Sequence, residues 1–184
     1  MDFVFYRGDN RVPEVIKRDG FDFFNDAKVE VDRAGTIYNY LNLNILNKFE
    51  TFEDFRQWVI VGKNRARPTI STALNADCGG YGSGFIYTIK FEKSLTKSSR
   101  RSQKGDFEYV IYADQENLQQ AGIIGFSVSP GTVSEEVAFF TKIGQANIVN
   151  VRDAKNNTSR DMADIQTATP AGPGKLVMPA AFGR

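Results

Sequence analysis

Residues Phe85–Phe91 alternate strictly along the chain: Phe85, Tyr87, Ile89 and Phe91 fall on one side and Ile86, Thr88 and Lys90 on the other. A period of two marks an extended strand with two distinct faces. Such a strand is stable only in a sheet, so the rest of the chain must supply partners. From Pro68 onward it offers them. Residues 69–74, 107–113, 123–128, 137–140 and 148–151 read as further strands.

Before Pro68 the pattern is different. Residues 3–7 form a short strand-like run, and Gly8 to Pro13 read as a turn. Pro13 suits the first helical position, Glu14 complements the helix N-terminus, and Gly20 is a stop signal. Residues 36–49 place Ile37, Tyr40, Leu41, Ile45 and Leu46 at helical spacing. Thr51 reads as an N-cap with Asp54 three residues on, followed by the apolar stripe Phe52, Phe55, Trp58 and Val59. Helical segments followed by about six strands predict an α+β domain. The segment after Arg152 is rich in Asn, Thr, Ala, Gly and Pro. The sequence therefore divides into a folded unit, 1–152, and a tail, 153–184, expected to be weakly ordered or draped over the surface.

The chain has 184 residues, of which 41% are apolar, a size and composition that suit one domain with one packed core. Its formal charge of +1 gives no global field toward nucleic acid or membrane. It has no histidine and a single cysteine, Cys78. A Ser-His-Asp triad, a Cys-His pair and a zinc site built from Cys and His ligands are thereby excluded. Any chemistry rests on carboxylates, Arg, Lys, Ser, Thr and Tyr, or on a bound small molecule. The opening residues lack the basic and apolar regions of a signal peptide. No apolar run approaches the roughly 20 residues that span a bilayer.

Three separated segments carry candidate chemistry. The first is Tyr6-Arg7-Gly8-Asp9-Asn10-Arg11-Val12-Pro13-Glu14-Val15-Ile16, followed by Asp19-Gly20-Phe21. The second is Thr69-Ile70-Ser71-Thr72-Ala73. The third is Val133-Ser134-Glu135-Glu136-Val137-Ala138-Phe139-Phe140, then Ile143 and Asn147-Ile148. Taken singly each is ordinary: a surface arginine, a cross-strand hydroxyl pair, a solvated acidic edge. Their order and content together resemble the three-part signature of the mono-ADP-ribosyltransferases of the cholera-toxin and pertussis-toxin group. That signature is an Arg ending the first strand, a Ser-Thr-Ser strand, and a late Glu reached through a turn. The resemblance spans residues 3–151; residues 22–66 match nothing in it.

The resemblance implies an ADP-ribosyltransferase-type split β-sandwich with N-terminal helices, and NAD⁺ as the substrate without a metal. Arg7 would bind phosphate through its planar fork. Asp9 would brace Arg7 or contact the adenosine ribose. Ser71 and Thr72 would organise the NAD⁺ cleft, with Ala73 standing where the family often has a second Ser. Glu136 would be the catalytic carboxylate, stabilising the oxocarbenium-like ribosyl cation as nicotinamide leaves. The family position two before it often holds Glu or Gln; here it is Ser134, so the residue that would indicate the acceptor is absent. Strand alternation puts Ser134 and Glu136 on one face and Glu135 on the other, unless the loop is irregular and Glu135 enters. The loop 127–132, with Ser129 and the turn pair Pro130-Gly131, would recognise the target.

The activity so implied is transfer of ADP-ribose from NAD⁺ to a target macromolecule, most naturally a protein. The alternatives are an NAD⁺ glycohydrolase on the same scaffold and a non-catalytic interaction module. The setting implied is a toxin or effector, secreted or carried into a target cell by delivery machinery or a larger polypeptide. Two other signals are set aside. Residues 79–84, Gly-Gly-Tyr-Gly-Ser-Gly, lead into a strand rather than a helix, so they read as a flexible connection and not a phosphate loop. The basic run containing Lys93, Lys97, Arg100, Arg101 and Lys104 reads as a solvated inter-strand loop. It lacks the interleaved aromatics of a nucleic-acid platform, so nucleic acid is not the favoured partner.

Overall fold

The computed structural model describes residues 3–22, 39, 48–61, 69–91, 95–102, 107–113, 123–132 and 135–167, with the backbone alone for 59–61. The strands are β1 (Phe3–Asp9), β2 (Ile70–Ala73), β3 (Phe85–Phe91), β4 (Thr96–Arg101), β5 (Glu108–Ala113), β6 (Ile124–Ser127), β7 (Glu136–Phe139), β8 (Ile148–Asp153) and β9 (Thr158–Asp161). Among the described residues two short helices, α1 (Pro13–Asp19) and α2 (Phe52–Val61), accompany them. All nine strands join one antiparallel sheet in the order β4-β5-β6-β7-β2-β1-β3-β8-β9. The described residues are therefore mainly β. The α+β split sandwich with N-terminal helices expected from the sequence is corrected by this single sheet. The expected helix in 36–49 falls almost wholly outside the described residues. Among them, no helix is long and apolar enough to cross a membrane.

The sheet is strongly curled. Four strand steps separate β5 from β1, about 19 Å on a flat sheet. Yet the ring of Phe5 on β1 lies 5.5 Å from that of Tyr112 on β5 and 4.9 Å from that of Phe139 on β7. The inner core so enclosed contains Phe5, Tyr87, Ile89, Phe91, Tyr112, Val137 and Phe139. Alternation along β5 and β7 sends Tyr109, Ile111, Ala113 and Ala138 to the opposite face, with Phe126 and Phe140. There α2 packs: Phe55 is 1% exposed, and Trp58 stacks on Phe140 at 6.3 Å. Thr51 caps that helix, accepting from the Asp54 amide at 3.1 Å and donating to its carboxylate at 2.6 Å.

α1 begins at Pro13 and ends at Gly20, whose φ of +68° suits glycine. A Cβ there would also sit 2.6 Å from the carbonyl oxygen of Ile143. This close approach lets Phe21 pair with Ile143 through amides at 2.9 and 3.0 Å. The boundary placed at 152 falls inside β8. Residues 153–167, expected as weakly ordered tail, contain the end of β8 and all of β9, while Met162 and Ile165 enter the inner core. Residues 168–184 lie outside the described residues. The basic run is likewise no loop at 96–101, where it forms the edge strand β4.

Candidate functional site

β1, β2 and β7 are neighbours because Tyr6 pairs with Ala73 and Ala73 with Glu136. This register brings three distant segments to one place. A cavity of about 360 Å³ is lined by Tyr6, Arg7 and Gly8, by Ser71, Thr72 and Ala73, by Cys78, Gly79 and Tyr81, and by Glu136. Arg7, Ser71, Thr72 and Glu136, all singled out in the sequence, thus share one wall or another of it.

Arg7 is held from two sides. Its Nη1 donates to the Ser71 carbonyl at 2.7 Å and its Nη2 lies 3.3 Å from the Asp9 carboxylate. The buried Nε has no hydrogen-bond partner among the described residues. Burial pulls the guanidinium below its ordinary value; Asp9 opposes this, and the charge of Arg11 adds to it. Asp9 also accepts from Arg11 Nε at 2.9 Å and Nη2 at 2.8 Å, so one carboxylate braces two arginines. The Arg7 and Arg11 guanidinium carbons lie 5.1 and 5.4 Å from the Phe21 ring centroid. Asp9 thus makes the bracing contacts considered for it in the sequence.

Burial alone would raise the Asp9 carboxyl, but hydrogen bonds from Arg11 and the two positive charges outweigh it and hold the group below its usual 3.8. A carboxyl lowered in the folded state contributes stability above its unfolded value and loses it as pH falls. Asp9→Asn is expected to lower stability by about 2 kcal/mol near pH 6. The gap between variant and wild type should close below the usual carboxylate value. Urea midpoints across pH 2.5–6 measure it, and a constant gap would contradict the bracing role.

The hydroxyl of Thr72 is committed to the fold: buried, it donates to the Val137 carbonyl at 2.8 Å. Ser71 is half-buried on the face shared with Ala73 and Glu136. Glu136 presents its side chain at the cavity while its backbone is gripped. Its amide donates to Ser129 Oγ at 2.7 Å, and its carbonyl accepts from the Val128 amide at 2.9 Å. Ser129 is therefore tied to the Glu136 backbone. Glu135, expected to enter the cleft only through an irregular loop, does not line the cavity. Its carboxylate is buried, 3.0 Å from the Tyr112 hydroxyl and 3.7 Å from Lys97 Nζ. Ser134 lies outside the described residues.

The cavity also has further walls. Tyr6 is one. Tyr81 is another; its ring covers Gly8 so closely that a Cβ there would meet Tyr81 Cγ at 2.6 Å, and its hydroxyl donates to Asn10 Oδ1 at 2.6 Å. The glycine-rich stretch is thus one wall of the cavity rather than only a connection. The signal was present in Gly8, whose missing side chain admits a ring. Cys78 is the third, with its thiol pushed up to about 11, mainly by burial. Its thiolate is scarce at neutral pH. Native Cys78 is expected to react with iodoacetamide at pH 8 about a hundredfold more slowly than an ordinary thiol. Mass spectrometry of native and urea-unfolded protein checks this; equal rates would contradict the raised thiol of half-buried Cys78. Among the described residues no three Cys, Asp or Glu side chains group as metal ligands.

No protein-family model matches the chain, and no curated protein does. Among solved structures, a chain described as EcPltA is similar at 16% identity and a TM-score of 0.36, covering 86% of this chain and 82% of its own.

Proposed function

We propose that the protein is a mono-ADP-ribosyltransferase that consumes NAD⁺ and transfers ADP-ribose to a macromolecular acceptor, most naturally a protein. The observation that carries this reading is the convergence of Arg7, Ser71 and Glu136, 129 positions apart at the extremes by number (136 − 7), on one cavity. Their chain order is that of the resemblance noted above, and the shared cavity is independent of it.

The residues suit the substrate. The cavity is of a size that takes the nicotinamide-ribose end of a dinucleotide. Arg7, permanently charged and lining the cavity, suits a pyrophosphate oxygen. Tyr6 and Tyr81 offer aromatic surface to a planar ring. In the reaction the bond between the nicotinamide nitrogen and ribose C1 breaks, and its electron pair leaves with neutral nicotinamide. Positive charge develops on the ribose, and the Glu136 carboxylate stabilises it. The acceptor nucleophile then bonds to C1 and releases a proton to solvent. No strong general acid is needed, which suits a chain without histidine.

The test is incubation with NAD⁺ labelled in the adenylate and a cell lysate, beside Glu136→Gln. Label on a macromolecule supports transfer. Free ADP-ribose alone supports the glycohydrolase instead. Absence of turnover under all conditions would leave an interaction module. The setting of a toxin or effector delivered by other machinery belongs to the same proposal.

A further inference from the structure

Glu135 is a carboxylate where packing alone favours an apolar residue. It is 7% exposed, it lies beside the inner core, and it is adjacent in sequence to Glu136. Burying a carboxylate costs more than one hydroxyl and one distant ammonium return, so such a group is weak evidence for stability. Its partners are nonetheless built in. Tyr112 donates to it at 3.0 Å, and Lys97 Nζ lies 3.7 Å from it and 5.3 Å from the Tyr112 ring centroid. The Tyr112 ring is wedged edge-on against Phe3 and Phe5 at 5.4 and 5.5 Å, so the anchor point is rigid.

The same peptide is held elsewhere. The Glu135 carbonyl accepts from the Leu74 amide at 3.0 Å, and the next amide is held by Ser129 Oγ at 2.7 Å. β7 begins at Glu136, directly after the loop, so the Leu74 amide, Ser129 Oγ and the Glu135 side chain all act on the peptide where the chain enters the strand. A slip of one residue there exchanges the two faces. It would withdraw one carboxylate from the cavity and offer the other.

We propose that Glu135 is a positioning residue: tethered to Tyr112 and Lys97 on the core side, it locks the register at the start of β7 and so turns Glu136 toward the cavity. This rests on the reading of Glu136 as catalytic. Glu135 therefore does not meet the acceptor, and the two adjacent carboxylates have opposite duties.

The test compares full-length wild type, Glu135→Leu, Glu135→Gln and Tyr112→Phe. Gln keeps an oxygen that accepts from Tyr112, whereas Leu keeps only the volume. Glu135→Leu and Tyr112→Phe are expected to lower kcat for NAD⁺ at least about tenfold, since small misplacements of a reacting group are costly. KM is expected within about twofold and the melting temperature near wild type. Glu135→Gln should recover most of kcat. Wild-type kcat in Glu135→Leu, or no recovery by Gln, overturns the proposal. A crystal structure of Glu135→Leu reads the geometry without turnover. Glu136 turned out of the cavity supports the proposal, and Glu136 unmoved overturns it. Absence of turnover in wild type defeats the functional reading, and the crystal structure still decides the positioning.

Discussion

Glu136→Gln is expected to reduce NAD⁺ turnover about 10²–10³-fold, the usual cost of removing one group that stabilises transition-state charge. The substitution keeps shape and removes only charge. The contacts that hold Glu136 are made by its backbone, to Ser129 Oγ and the Val128 amide, and they survive. Its register partner Ala73 makes no side-chain hydrogen bond that the amide could break. The melting temperature should therefore stay within a few degrees while kcat collapses. Release of labelled nicotinamide, followed beside thermal denaturation, separates the two. Equal turnover by variant and wild type would remove Glu136 from the mechanism. A parallel loss of stability would reassign it to the fold.

Local pattern made part of this molecule legible. The alternation that marks β3 survives in the structure because both its neighbours, β1 and β8, pair with it along most of its length. Glu135 and Glu136 face opposite ways, as alternation requires, even though the first lies just outside the strand. Other features leave no such trace. β4, Thr-Lys-Ser-Ser-Arg-Arg, pairs among the described residues only with β5 and is exposed on five of six residues, so it has no buried face to write into its sequence. β9 is exposed throughout and is brought back to β8 by a turn in which Asn157 takes φ +54°. An edge strand is specified by its neighbour's backbone more than by its own side chains.

The fold class failed for a related reason. Helical stripes such as Phe52, Phe55 and Trp58 are loud within a short window, whereas a nine-stranded sheet is assembled from pairings between distant segments. β1 joins β2 across 67 positions (73 − 6), through Tyr6 and Ala73, and nothing in either segment names the other. The cavity inherits that difficulty. Arg7, Ser71 and Glu136 were accessible through their chain order, but Tyr81 reaches the same space only because Gly8 leaves room for its ring.

Phe5→Ala is expected to destabilise the protein by about 3–5 kcal/mol, the range for removing a buried aromatic ring. Phe5 is 0% exposed and meets four rings: Phe3 at 6.4 Å, Phe91 at 5.8 Å, Tyr112 at 5.5 Å and Phe139 at 4.9 Å. Three of these contacts are edge-on, each adding about 0.5–1.5 kcal/mol beyond simple burial. Position makes the loss worse. β1 and β2 share a single register pair, so hydrogen bonding alone holds the curled sheet weakly there. Rings from β1, β5 and β7 meeting at Phe5 supply the closure. A domain of this kind has only about 5–15 kcal/mol in total, so the variant should unfold at much lower urea. Val12→Ala, at a residue 48% exposed, is the control and should stay within about 0.5 kcal/mol of wild type. Tyr6 and Arg7 follow Phe5 on β1, so cavity function should weaken in step with folding. A Phe5→Ala cost below about 1 kcal/mol would mean that the sheet is closed by something other than these rings.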